Sequence, residues 1–267
     1  MTAERERNLI ILGSGTSHGV PMIGCVCDVC LSEDPRNKRM RSGALIEGPE
    51  GNILIDTAPE LRMQLLRERV RLVHAAIYTH SHADHLFGLD DLRLFGHYLG
   101  GPVGLYCEEN VERQIRKAYG YAFDDSGSGL HPGAVPNLVI HRIGPASAPE
   151  PFELCGVKII PIRLMHGKLP VLGFRIGDVA FCTDVSEIPE ESFALLEGLD
   201  TLVIDALREK PHATHFSVGQ ALEAIARLKP RQAYLTHISH TLDHTRTSAT
   251  LPEGVEMAYD GLRIRLG

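Results

Sequence analysis

The sequence predicts an α/β fold in which helices cover the faces of β-sheets. Short, β-branched apolar runs ending in glycine-rich or polar turns recur along the chain, and segments with apolar residues at three-to-four spacing lie between them. With 267 residues, 43% of them hydrophobic and 23% charged, the chain can bury a sizeable core without disulfide staples. One domain spanning 1–267 is the expectation, and there is no internal repeat or heptad pattern.

Three early strands are expected at 9–12, before G-S-G-T-S, at 53–55, before D-T, and at 73–78, before T-H-S-H. Each delivers a loop to one edge of a sheet. Later runs at 138–140, 157–164, 172–176, 179–183, 202–204 and 232–235 repeat the pattern. The pair 255–259 and 262–266 flanks Asp260-Gly261 and reads as a two-residue hairpin. Helical spacing occurs at 61–66, 86–95, 111–118 and 193–196. A further helix starts at Ser217 as N-cap, runs through Ala221, Leu222, Ile225 and Leu228, and stops before Pro230. The stretch 120–136 reads as a long exposed loop, either a functional lid or a disordered segment.

The net charge of -7 disfavours an extended polyanion unless basic residues cluster, and no such cluster is evident. The apolar stretch at 9–12 is too short for a signal peptide or a membrane span, so a cytoplasmic protein with no membrane partner is expected. Cys25, Cys27 and Cys30 form a C-x-C-x-x-C run, too tight for a disulfide framework and suited to thiolate ligation of a metal. Cys107, Cys155 and Cys182 are scattered and read as small buried hydrophobes.

The strongest chemical signal is T-H-S-H-A-D-H, which places His80, His82, Asp84 and His85 in one tight loop after a strand. Alternation puts His80 and His82 on one side of an extended segment while Asp84 and His85 turn onward, so two adjacent metals can be held. Far downstream stand His166 in M-H-G-K, Asp184 in F-C-T-D-V and His237 in L-T-H-I-S-H. In this succession the chain resembles the metallo-β-lactamase superfamily.

That resemblance implies an αββα sandwich, with His80, His82 and His166 on a first metal, Asp84, His85 and His237 on a second, and Asp184 bridging them. Asp56, in N-I-L-I-D-T, matches the superfamily's early aspartate; we expect it to partner a ligand's other N–H and not to bind metal. Three thiolates and one histidine make a closed tetrahedral site that prefers zinc, and His240 supplies the fourth ligand to Cys25, Cys27 and Cys30. With G-V-P-M-I-G-C-V-C-D-V-C and T-H-I-S-H together, the chain is similar to the phosphoribosyl 1,2-cyclic phosphate phosphodiesterases of the carbon–phosphorus lyase pathway.

The expected cofactors are therefore two catalytic divalent metals, manganese or zinc, and one structural zinc. Two divalent cations less two carboxylates and one hydroxide leave a site of about +1, which favours a small anionic phosphodiester. A hydroxide shared by the two metals is the expected nucleophile. The catalytic residues are expected to be Asp84 at the metals and His215, in H-A-T-H-F-S, as general acid, with His212 in reserve. His18, in G-T-S-H-G-V-P, borders the expected site, where the family carries a different polar residue. Relatives imply a homodimer.

The nearest rival is a tRNA 3′-end processing endoribonuclease, which shares the histidine motif. It would carry a basic arm, whereas 120–136 contains no lysine or arginine. A zinc-stabilised, non-catalytic binding module is the alternative of another class, and no predicted ligand is degenerate.

Overall fold

The structure is a computed structural model that describes residues 7–123, 131, 133–144 and 150–267. Residues 124–130 and 132, on which the lid reading of 120–136 rests, lie outside the described residues. Among the described residues the strands are β1 (Asn8–Gly13), β2 (Gly43–Glu47), β3 (Asn52–Ile55), β4 (Ala75–Ile77), β5 (Val103–Cys107), β6 (Leu138–Arg142), β7 (Phe152–Leu154), β8 (Val157–His166), β9 (Leu169–Ile176), β10 (Val179–Cys182), β11 (Thr201–Asp205), β12 (Gln232–Thr236), β13 (Val255–Met257) and β14 (Arg263–Arg265). They form two seven-stranded sheets, ordered β14-β1-β2-β3-β4-β5-β6 and β13-β12-β11-β10-β9-β8-β7.

Strand alternation explains why both sheets are covered twice. In β1, Leu9 and Ile11 join a core with Phe174, Phe181 and Val203 of the second sheet. The intervening Ile10 and Leu12 pack outward with Leu61, Leu65, Leu86, Val111 and Ile115. Those residues belong to α2 (Leu61–Arg67), α3 (Ala83–Leu86) and α5 (Glu109–Ala118), which follow the short α1 (Asp28–Leu31) in the chain. On the far side, Leu164, Cys182, Ile204 and Leu235 pack against Leu196 of α6 (Glu190–Leu196) and Ala221 and Ile225 of α7 (Val218–Leu228). The result is the expected αββα sandwich. Ser217 caps α7 in a full capping box with Gln220. Within the described residues no helix is long and apolar enough to cross a membrane.

Two sequence expectations fail. The helix expected over 86–95 breaks into α3, a 3₁₀ turn (Leu89–Leu92) and α4 (Arg93–Leu99). Gly88 is the reason: its N–H donates to the Thr57 carbonyl at 2.9 Å, and a Cβ there would stand 1.9 Å from the Ala58 oxygen. This close approach holds the backbone off the helical path.

The hairpin expected around Asp260-Gly261 is absent, because β13 pairs with β12 in one sheet and β14 with β1 in the other. The turn is a crossing between sheets. The Asp260 side chain is what holds it, accepting from Ser14 N at 2.9 Å, Ser14 Oγ at 2.8 Å, Met40 N at 2.9 Å and Arg67 Nη1 at 3.0 Å. Replacing Asp260 by Ala would strand these donors, and we expect a loss of about 3 kcal/mol in chemical denaturation. An unchanged midpoint would show that the crossing is held by something else.

Candidate metal centre

The centre lies where strand ends of both sheets meet. Asp56 directly follows β3, His80 follows β4 by three residues, Asp184 follows β10 by two, and His237 directly follows β12. Asp56, Asp184 and His237 have φ of 64°, 56° and 59°, in the left-handed region that non-glycine residues rarely adopt. Each is thereby turned sharply off its strand, and strain of this kind concentrates at functional sites.

Asp56 organises the histidine loop. Its Oδ1 accepts from Thr79 N at 2.8 Å, and its Oδ2 accepts from Thr79 Oγ1 and from His85 Nδ1, both at 2.7 Å. Because the Thr79 hydroxyl donates to Asp56, it accepts from His80 Nδ1 at 2.9 Å. One carboxylate thus fixes the tautomers of two imidazoles, leaving Nε2 of each as a lone pair. His166 is fixed in the same way, its Nδ1 donating to the Thr214 carbonyl at 2.6 Å.

The lone pairs so presented converge. Ligand atoms lie within 4.8 Å of one another in each of the sets His80–His82–His166, His80–His85–Asp184 and Asp84–Asp184–His237. Asp184 divides its oxygens between them: Oδ1 stands 4.0 Å from His80 Nε2, while Oδ2 stands 3.1 Å from His85 Nε2 and 3.2 Å from His237 Nδ1. All seven residues singled out in the sequence therefore meet at one place. Only His82 is exposed; the other six are buried.

The donor atoms fit divalent cations by a direct criterion: His80 Nε2, Asp84 Oδ2, His85 Nε2 and His237 Nε2 are all buried without a hydrogen-bond partner. Burial also pushes the His80, His166 and His237 pKa values down, toward the uncharged imidazole that a metal needs. Burial opposes charge on Asp184, but His237 and His85 outweigh it and hold the carboxyl well below its usual range. At His85 burial is overcome by Asp184 and Asp56, which raise its pKa. A cation would take that proton's place.

His215 lies at the edge of the centre, its ring 4.6 Å from that of His166 and stacked 4.7 Å from that of His237. Its Nδ1 is bonded to Asp205 Oδ2 at 2.7 Å, so Nε2 is the nitrogen left to face the centre. Asp205 also accepts from Val185 N at 2.8 Å and is fully buried. Sequence reasoning did not single out Asp205, although V-I-D at the end of its strand repeats the L-I-D that marks Asp56. His212 stands apart from the ligand sets, with its Nδ1 3.2 Å from Thr214 Oγ1 and its ring 5.3 Å from His215.

A second cluster joins Cys25, Cys27, Cys30 and His240. His240 Nδ1 is 3.4 Å from the Sγ atoms of both Cys25 and Cys27. Hydrogen bonding to His240 draws the Cys27 thiol down to about 6, and burial pushes Cys30 up to about 11. Three thiols and one imidazole are a donor set that suits zinc.

The sequence profile of the beta-lactamase superfamily domain matches residues 51–238. The chain belongs to that superfamily. Within the superfamily it is similar along its whole length to a structure described as a new diphosphatase from the PhnP family, with 40% identity, a TM-score of 0.89 and 98% of each chain covered. Human tRNase Z, short form, shares the fold at 18% identity and a TM-score of 0.69, with 97% of this chain and 99% of that one covered. An octanoyltransferase of Porphyromonas gingivalis (strain ATCC BAA-308 / W83) is 38% identical over 256 residues, 95% of this chain. The chain spans only 50% of that protein, so its name describes a molecule half of which has no counterpart here.

Asp56→Asn would keep the size of the side chain but present a weaker acceptor to His85 and Thr79. Affinity for divalent cations at the centre should fall about 10- to 100-fold in chelator competition. Unchanged affinity would remove Asp56 from its orienting role.

Proposed function

We propose that the protein is a two-metal phosphodiesterase acting on a small, cyclic phosphodiester of the phosphoribosyl type. The observation that carries the reading is the Asp184 carboxylate, with one oxygen toward His80 and the other toward His85 and His237. His80, His82 and His166 would hold one metal, Asp84, His85 and His237 the other, and Asp184 both; manganese or zinc suits such ligands. What a bound pair supplies is an activated water and neutralisation of charge on the non-bridging oxygens.

The remaining steps belong to side chains. His215, once its Nε2 has taken up a proton, passes it to the departing alkoxide, and Asp205 at Nδ1 orients the ring and stabilises the transient imidazolium. Asp84 contributes one of the two carboxylates that leave the loaded centre with a small positive excess, favouring a phosphate ester. The full-length likeness to a diphosphatase supports phosphorus as the atom attacked. A tRNA-processing reading lacks a comparable support, since 120–136 offers no cation to grip an extended polyanion.

His215→Ala should fold, keep its metals and lose about 10²- to 10⁴-fold in kcat on alkyl phosphodiesters. It should lose far less on an aryl diester whose leaving group needs no proton. Equal losses on both would reassign the general acid. A panel of ribose 1,2-cyclic phosphate, 2′,3′-cyclic nucleotides, an aryl diester and precursor tRNA tests the substrate class, and preferential cleavage of precursor tRNA would overturn it.

In the same reading Cys25, Cys27, Cys30 and His240 hold a structural zinc. Cys27→Ser should lose one zinc per chain and about 3 kcal/mol of stability, or roughly 6–12 °C in Tm for a chain of this size. Retention of all metal and of Tm would refute the assignment.

A further inference from the structure

Three of the four buried imidazoles at the centre have a clear partner at the ring nitrogen turned away from it: His80 has Thr79, His85 has Asp56 and His166 has the Thr214 carbonyl. His237 is fully buried, and its neighbour in the chain does not serve it, because Thr236 Oγ1 is itself buried without a partner among the described residues. What stands against His237 Nδ1 is the hydroxyl of Thr183, at 3.4 Å.

That hydroxyl has a single proton to give, and charge decides where it goes. Thr183 Oγ1 lies 2.8 Å from Asp184 Oδ2. Burial opposes charge on this carboxyl, but His237 and His85 outweigh it and hold it well below its usual range, so it accepts. Thr183 Oγ1 is then an acceptor toward its other neighbours. It takes the hydroxyl of Ser42 at 3.1 Å and the Nδ1–H of His237, which leaves His237 Nε2 as the lone pair. The same relay serves His80, where Asp56 takes the Thr79 hydroxyl at 2.7 Å and Thr79 accepts from His80 Nδ1 at 2.9 Å. The difference is that Asp184 belongs to the ligand sets and Asp56 does not.

Ser42 is as well placed as a brace can be. It immediately precedes β2 while Thr183 immediately follows β10, so their bond joins the two sheets, and both residues are fully buried. Gly15 bridges both Arg41, next to Ser42, and Ile238, next to His237. A Cβ on Gly15 would stand 2.8 Å from the Arg39 oxygen, so these segments are held at close quarters.

We infer that Thr183, braced by Ser42, is a positioning residue that fixes His237 and the Oδ2 oxygen of Asp184, and thereby sets the affinity of the metal that Asp84, His85 and His237 would hold. The inference rests on the two-metal reading above and is independent of the substrate. Removing the hydroxyl frees Oδ2 and strands the Nδ1 proton, both on the side of that one metal. Asp184 Oδ1, which faces His80, is untouched, and His80 and His166 keep their own partners.

The test is a titration of metal-stripped protein with manganese, followed by electron paramagnetic resonance, which separates an exchange-coupled pair of ions from a single bound ion. Manganese suits histidine and carboxylate ligands and is a poor match for the cysteine cluster. In Thr183→Val, close in shape but without the hydroxyl, one ion should keep its wild-type affinity and the other should bind about 10- to 100-fold more weakly, so that the coupled signal appears only at higher manganese. Thr183→Ser should restore the wild-type titration. A coupled signal at wild-type manganese levels in Thr183→Val would overturn the inference. Equal weakening of both ions, or no rescue by Thr183→Ser, would do the same, since either marks general damage to the fold.

Should Thr183→Val not fold, Ser42→Ala decides. It should weaken one ion about 2- to 10-fold and spare the other; an unchanged titration overturns the brace and the relay with it. A wild type that never shows a coupled pair would instead sink the two-metal reading itself.

Discussion

Lone pairs buried against one another are the constraint from which this molecule is best understood. His80 Nε2, His85 Nε2, His237 Nε2 and Asp84 Oδ2 share one small space without a protein donor to satisfy them. Each such group costs roughly 1–3 kcal/mol when left alone in the interior. The cost turns to gain only when a cation enters, and the surroundings are arranged for that: Thr79, Asp56 and Thr214 occupy the opposite ring nitrogens of His80, His85 and His166 and fix their tautomers. The site is thus an investment of fold stability in metal affinity.

The two sheets make this convergence geometrically possible. Each has a run of parallel strands, β3-β4-β5-β6 in one and β10-β11-β12-β13 in the other, and their ends deliver the histidine loop, Asp184, Asp205 and His237 to a common rim. Left-handed residues at Asp56, Asp184 and His237 then redirect the chain at three strand ends. Aspartate and histidine tolerate this uncommon conformation better than most residues. Backbone hydrogen bonds hold His237 in it on either side: Ala206 N donates to the Thr236 carbonyl and Ile238 N to the Ser14 carbonyl, both at 2.9 Å.

What could be read in the sequence was whatever is local or strongly typed. Four metal-binding residues within six positions leave little room for another explanation, and His166, Asp184 and His237 gained meaning only in succession with them. Asp205 escaped notice because a single acid after an apolar strand looks like any surface turn until its neighbours in space are known. The strands β2 and β5 were equally quiet, since Gly43-Ala44 and Gly104 dilute the β-branched signal that marks β3 and β11. Asp260-Gly261 failed for a different reason. Local turn chemistry specifies that the chain bends, and burial of the Asp260 carboxylate against Ser14 and Met40 decides which sheet it enters next.

The two clusters of metal-binding residues are built on one segment, and this explains why the cysteine knuckle stands where it does. His237 belongs to the set with Asp84 and Asp184 and His240 to the cysteine set, three residues apart. Between them, Ile238 exchanges backbone bonds with Ser14 and Thr16, and Ser239 N donates to the Leu207 carbonyl at 3.0 Å. From the other side the fully buried Arg39 holds the carbonyls of Ser239 and Leu242. A segment gripped at so many points cannot shift at one histidine without moving the other. Whatever fixes His240 against Cys25 and Cys27 therefore also steadies His237, so the knuckle acts on the candidate metal centre through position alone.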